Sequence, residues 1–131
     1  MKLETVYRAA IISGALAYIL FWFMPYTYGY FDGEIQAILS YTGYASIISF
    51  NETTGWLLFF MFLACSFGMF FYRKIFRTAF LMLIIFTTTL IPLLGLAVMT
   101  SVDTLFINIT NIMDGVALAM AYFSPIKDKF Y

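Results

Sequence analysis

Four apolar runs, at positions 7–24, 55–72, 78–99 and 105–123, constrain this chain more than any other feature. Each is close to the roughly 20 helical residues needed to cross a hydrocarbon core about 30 Å thick. A helix that is apolar on nearly every side belongs in lipid or inside a large core. A chain of 131 residues, 63% hydrophobic and only 11% charged, cannot supply that core. A soluble domain of this size leaves too much surface in water to hide so many apolar side chains. The sequence therefore predicts an all-α membrane protein with a single domain over residues 1–131. Its four transmembrane helices should form an antiparallel up-and-down bundle, because short connections make the last three runs neighbours.

Charge placement orients the bundle. Lys2 and Arg8 sit at the start of the first run, Arg73, Lys74 and Arg77 between the second and third, and Lys127 and Lys129 after the fourth. The opposite connections hold Asp32, Glu34, Glu52 and Asp103, with no lysine or arginine. Cytoplasmic loops carry the excess of Lys and Arg, so both termini are expected in the cytoplasm, with a bacterial inner membrane as the simplest location. Trp22, Tyr26 and Trp56 are expected to mark the outer boundary as an aromatic belt, and Tyr7, Tyr72 and Tyr122 the inner one. A basic start followed by an apolar run also fits a cleaved signal. This run is rich in bulky aromatics and ends in "FMPYTYG" without a small-residue cleavage site, so it is read as a retained span.

The long outer connection, 25–54, contains one short helical pattern. Asp32 is placed to cap it, Ile35, Ile38 and Leu39 make one apolar face, and Gly43 can end it. An amphipathic helix lying in the membrane interface is expected there, followed by an extended piece near 46–50.

Lipid tails are as apolar as leucine, so small residues and polar contacts must hold the helices together. The first run offers Ala10, Ser13, Gly14 and Ala17 at helical spacing, the second Ala64 and Gly68, and the fourth Gly115 and Ala119. In the third run, "FTTTLIPLLG" predicts a kink at Pro92, which lacks an amide hydrogen and clashes with the carbonyl of Thr88.

The composition excludes several function classes. There is no histidine and one cysteine, Cys65, so the chain has no disulfide of its own, no His/Cys metal cluster and no histidine base. No nucleophile elbow, zinc-protease or phosphate-loop motif occurs. Intramembrane aspartyl proteolysis needs two carboxylates sharing a site. Catalysis, a cofactor and a bound metal are therefore not expected. Net charge is zero, which suggests no nucleic-acid partner. Cys65 reads as a small buried filler.

One residue stands out within the fourth run, "LFINITNIMDGVALAMAYF". Asp114 falls near its middle, where an aspartate disfavours insertion by roughly 2.5–3.5 kcal/mol. Asn108, Thr110 and Asn111 precede it, with Thr110 at i−4 and Asn111 at i−3, so these side chains can meet. Thr87, Thr88 and Thr89 of the neighbouring run should lie at similar depth. A polar intramembrane cluster of Asp114, Asn111, Asn108, Thr110, Thr87, Thr88 and Thr89 is the candidate binding site. No basic residue lies deep in a run to neutralise the acid.

Two functions remain. The first is a non-catalytic partner, an accessory, regulatory or immunity-type protein that contacts another membrane protein, or further copies of itself, through its helices or outer loop. The alternative is a small proton- or cation-coupled transporter or channel that uses Asp114.

Overall fold

Residues 2–131 are described by a computed structural model in which every regular element is helical. Helix α1 spans Leu3–Phe23, α2 Gly33–Leu39, α3 Glu52–Phe70, α4 Lys74–Leu90 and α5 Ser101–Phe123. Tight 3₁₀ turns follow α1 (Met24–Tyr30), α4 (Ile91–Leu93) and α5 (Pro125–Lys129). No strand occurs among the described residues. At 1.5 Å per residue, α1 and α5 are about 31 and 35 Å long, enough to span a bilayer core. Four helical segments, α1, α3, α4 with its following 3₁₀ turn to Leu93, and α5, are long and apolar enough to cross a membrane.

Local chemistry sets the boundaries. Pro25 lies just inside the turn that ends α1. Asn51 caps α3, its side-chain oxygen accepting from the Thr54 amide at 2.8 Å. At the other end of α3 the amide of Tyr72 donates to Met69 O (2.9 Å) and that of Arg73 to Gly68 O (3.0 Å). This paired closure places Tyr72 in the left-handed region, at φ 58°. A tyrosine there is strained by roughly 1–2 kcal/mol. Its ring is held by stacking on Tyr7, with centroids 5.5 Å apart.

The third run departs from expectation. It does not continue to residue 99 with a kink; α4 stops at Leu90, and Pro92 sits in the 3₁₀ turn that ends it. Proline removes a helical donor and crowds the preceding turn, and here no neighbouring helix carries the chain past that break. Gly95, at φ +80°, turns the chain onto the 25–54 connection. Gly43 N donates to Leu96 O (2.7 Å), Leu96 N to Tyr44 O (2.9 Å) and Ile47 N to Leu93 O (2.9 Å). A Cβ on Gly95 would lie 2.4 Å from Tyr44 O, so this approach requires glycine. The long connection is thus bonded to the residues that follow α4. Within it α2 forms where expected and buries Leu39, while Ile35 and Ile38 stay exposed. Asp32 stands at its N-cap position without a side-chain bond.

Packing centres on α1, which lies closest to α5 and also touches α3; α4 packs on α3 and touches α5 only slightly. Tyr7, near the start of α1, donates to Met69 O near the end of α3 (3.2 Å). Trp22, near the end of α1, meets Trp56 at the start of α3. The last residues close the end that carries the basic side chains. Phe130 packs edge-on against Tyr7 and Tyr72. Tyr131 exchanges backbone hydrogen bonds with Tyr72 and Lys74, and Lys129 pairs with Glu4. Tyr7 and Tyr72 are therefore buried packing residues and do not serve as membrane-interface anchors. Cys65 is a buried free thiol.

Candidate functional site

Close approach of α1 to α5 creates the site. Gly14 is the contact point, since a Cβ there would lie 3.0 Å from Asp114 Oδ1 and 3.2 Å from Met113 Cβ. Ala10 and Ala17 are buried on the same side of α1. Beyond its first turn, the buried positions of α5 are Thr110, Asp114, Ala117 and Ala121, the i, i+4, i+7, i+11 stripe of one helical face. Asp114 is therefore turned into the protein, with 7% of its surface exposed.

A part-open cavity of about 190 Å³ lies between the four long helices. Its polar lining is Tyr18 from α1, Thr87 and Thr88 from α4, and Thr110, Asn111 and Asp114 from α5. The remaining walls are apolar, with Leu58 and Phe62 from α3 and Leu83 and Ile84 from α4 among them. Cavity and carboxylate are not sealed by local hydrogen bonds. Thr110 donates to Phe106 O (3.0 Å) and Gly14 O (3.5 Å), leaving Asp114 unserved. Thr87 donates back to Leu83 O (2.9 Å) and Ile84 O (3.1 Å). Among the described residues the Asp114 carboxylate accepts no hydrogen bond and pairs with no cation, although Tyr18, Thr88 and Asn111 line the same cavity.

The structure thus brings together five of the seven residues of the expected polar cluster. Thr89 is not among them; it is exposed and bonds back to Ile85 O and Phe86 O within α4. Asn108 is exposed on α5 and does not line the cavity. The small residues divide in the same way. Gly68 is buried against the Phe76 ring, whereas Gly115 and Ala119 are exposed, and nothing lies within 4 Å of a Cβ built on Gly115. The α5 face that packs on α1 is offset from the Gly115–Ala119 pair because Asp114 takes the inward position between them.

Asp103, expected as an outer-loop charge, is a second buried acid. It is 1% exposed. With Thr100 it forms a capping box, its Oδ2 accepting from Thr100 N at 2.9 Å while Thr100 Oγ1 accepts from its own amide at 3.2 Å. The Tyr28 hydroxyl donates to the same Oδ2, tying the turn after α1 to the start of α5. The spacing Thr-x-x-Asp ahead of an apolar run was the available signal. Beneath the long connection Trp22, Tyr28, Leu39 and Met99 line a larger hollow of about 390 Å³ with no charged side chain.

Comparison with protein-family models, curated proteins and solved structures finds no match to this chain.

Proposed function

We propose that this chain is a non-catalytic integral membrane protein that docks a spanning helix of another membrane protein on the outward face of α5. In this reading its four long helices cross the bilayer as an antiparallel up-and-down bundle. Both termini are cytoplasmic, at the end where Arg8, Arg73 and Arg77 lie over aromatic rings and Lys129 pairs with Glu4. The α2 helix lies in the outer interface. The role is that of an accessory, regulatory or immunity-type subunit.

One observation carries this reading. Asn108, Asn111, Gly115 and Ala119 run along the exposed side of α5, and neither amide makes a side-chain hydrogen bond among the described residues. In hydrocarbon each unpaired amide is costly, and water is not there to relieve it. Small residues beside them leave room for a second backbone to approach, the arrangement that joins spanning helices. The fitting partner is a helix with its own small residues and an amide or hydroxyl at the depth of Asn111.

A photoreactive side chain at position 115, in protein kept in its native membrane, tests this. A cross-link to one other protein is expected, lost in Asn111→Leu and absent when the probe sits at exposed Leu57 of α3. A product of twice the chain's own mass would assign the face to a second copy instead. No cross-link at 115 would remove the reading.

The unserved carboxylate of Asp114 favours a second reading, a small proton- or cation-linked carrier. There Asp114→Asn should abolish flux in reconstituted vesicles, while leaving the cross-link at position 115 in place.

A further inference from the structure

We propose that the cavity beside Asp114 is a binding site for a small organic ammonium ion, an amine joined to an apolar body about the size of one aromatic ring. Three observations converge. The carboxylate is more than nine-tenths buried, reaches the cavity, and receives neither a hydrogen bond nor a cation from the described residues. Of the hydroxyls that line the cavity, that of Thr110 donates to the carbonyls of Phe106 and Gly14, and that of Thr87 to those of Leu83 and Ile84. The remaining walls are mostly apolar.

Each feature selects a property of the ligand. An isolated acid in a low-dielectric interior needs a positive charge or a donor, and an ammonium group supplies both. The proton balance closes from either side. A neutral amine arriving through lipid takes the proton of the carboxylic acid, and an ammonium ion meets the carboxylate directly; both give the same ion pair. The Tyr18 and Phe62 rings, with centroids 4.0 Å apart, line the same cavity and suit an aromatic body. A divalent metal ion fits poorly, because hard cations take six or more oxygen ligands and the site has a single carboxylate. At about 190 Å³ the space slightly exceeds a cavity of about 150 Å³ known to hold benzene. The cavity is part-open, which gives a ligand a way in.

This assignment concerns what the cavity holds. It shares Asp114 with the carrier reading but requires no transport, so equilibrium binding and vesicle flux test the two separately. Asn111 belongs to both this cavity and the outward face of α5, so cross-linking at position 115 tests docking there separately.

The test uses the full chain in lipid nanodiscs, with benzylamine as probe and benzyl alcohol as its uncharged isostere. Protein-detected NMR titration separates saturable binding from partition into lipid. Saturable binding of benzylamine is expected, at least tenfold tighter than that of benzyl alcohol and at least tenfold weaker in Asp114→Asn. Thr88→Trp gives a second route, since Thr88 is exposed on α4 at the cavity edge, leaves Asp114 in place, and should also abolish binding by filling the space. Equal binding of the two probes, unchanged affinity in Thr88→Trp, or no saturable binding to the wild-type chain would each overturn the assignment. If Asp114→Asn does not fold, the isostere comparison and Thr88→Trp decide the matter alone.

Discussion

Gly68→Ala and Gly115→Ala make the same chemical change in two long helices, yet the structure assigns them opposite outcomes. A Cβ on Gly68 would fall 2.1 Å from Phe76 Cγ and 2.6 Å from Phe76 Cβ. Carbon atoms pack at about 3.5–4.0 Å, so the ring must move by more than 1 Å. Rotation alone cannot relieve a clash that includes Phe76 Cβ, and the first turn of α4 has to shift away from α3. Overpacking of this kind costs about 1–3 kcal/mol. Alanine recovers at most about 1 kcal/mol of helix propensity over glycine. A net loss of about 1–2 kcal/mol is expected for Gly68→Ala. Gly115 has open space around it, so Gly115→Ala should be neutral or stabilising by up to about 1 kcal/mol. The assay is reversible unfolding of the purified monomer in mixed micelles, followed by the fluorescence of Trp22 and Trp56. Equal stability of Gly68→Ala and wild type would refute the α3–α4 packing, and a destabilised Gly115→Ala would refute the outward placement of that face.

Two further substitutions probe the end of the bundle that carries the 25–54 connection. Gly95→Ala combines a left-handed backbone with a Cβ 2.4 Å from Tyr44 O, so it should detach the long connection. Proteolysis between residues 40 and 50 should then quicken at least tenfold while α1, α3 and α5 remain intact, whereas unchanged cleavage would contradict the pairing. Tyr28→Phe removes a donor to the buried Asp103 carboxylate, a bond to a charged acceptor worth about 1.5–3 kcal/mol. Unfolding measurements should show that loss, and a change below about 0.5 kcal/mol would mean the bond contributes little.

The long helices are legible in the sequence because apolar run length is a local property and lipid demands it. The apolar spacing of Ile35, Ile38 and Leu39 after Asp32 likewise marks α2, which ends at Leu39, short of the expected Gly43. The end of α4 at Leu90 is harder to read, since a proline in a membrane helix can kink or end it. What decides is whether residues 93–98 find backbone partners elsewhere. They find them at 42–48, about 50 residues away, a pairing no local pattern announces. Asp103 illustrates the same gap. Its capping role follows from Thr100 three residues earlier, but its burial depends on Tyr28 arriving from the far end of α1. For α5, spacing groups Gly115 with Ala119 and Thr110 with Asp114 equally well. Which stripe faces α1 is settled by Gly14, whose missing side chain admits the Asp114 carboxylate.

The central claim is that α1, α3, α4 and α5 cross a bilayer with Asp114 enclosed and the basic ends on the cytoplasmic side. Single-cysteine variants of a Cys65→Ser chain, treated in intact cells with a thiol reagent that cannot pass membranes, test it most directly. Gly33→Cys should label within minutes, Lys127→Cys only after the cells are opened, and Asp114→Cys in neither case. Labelling at position 114 as fast as at position 33 would contradict the account.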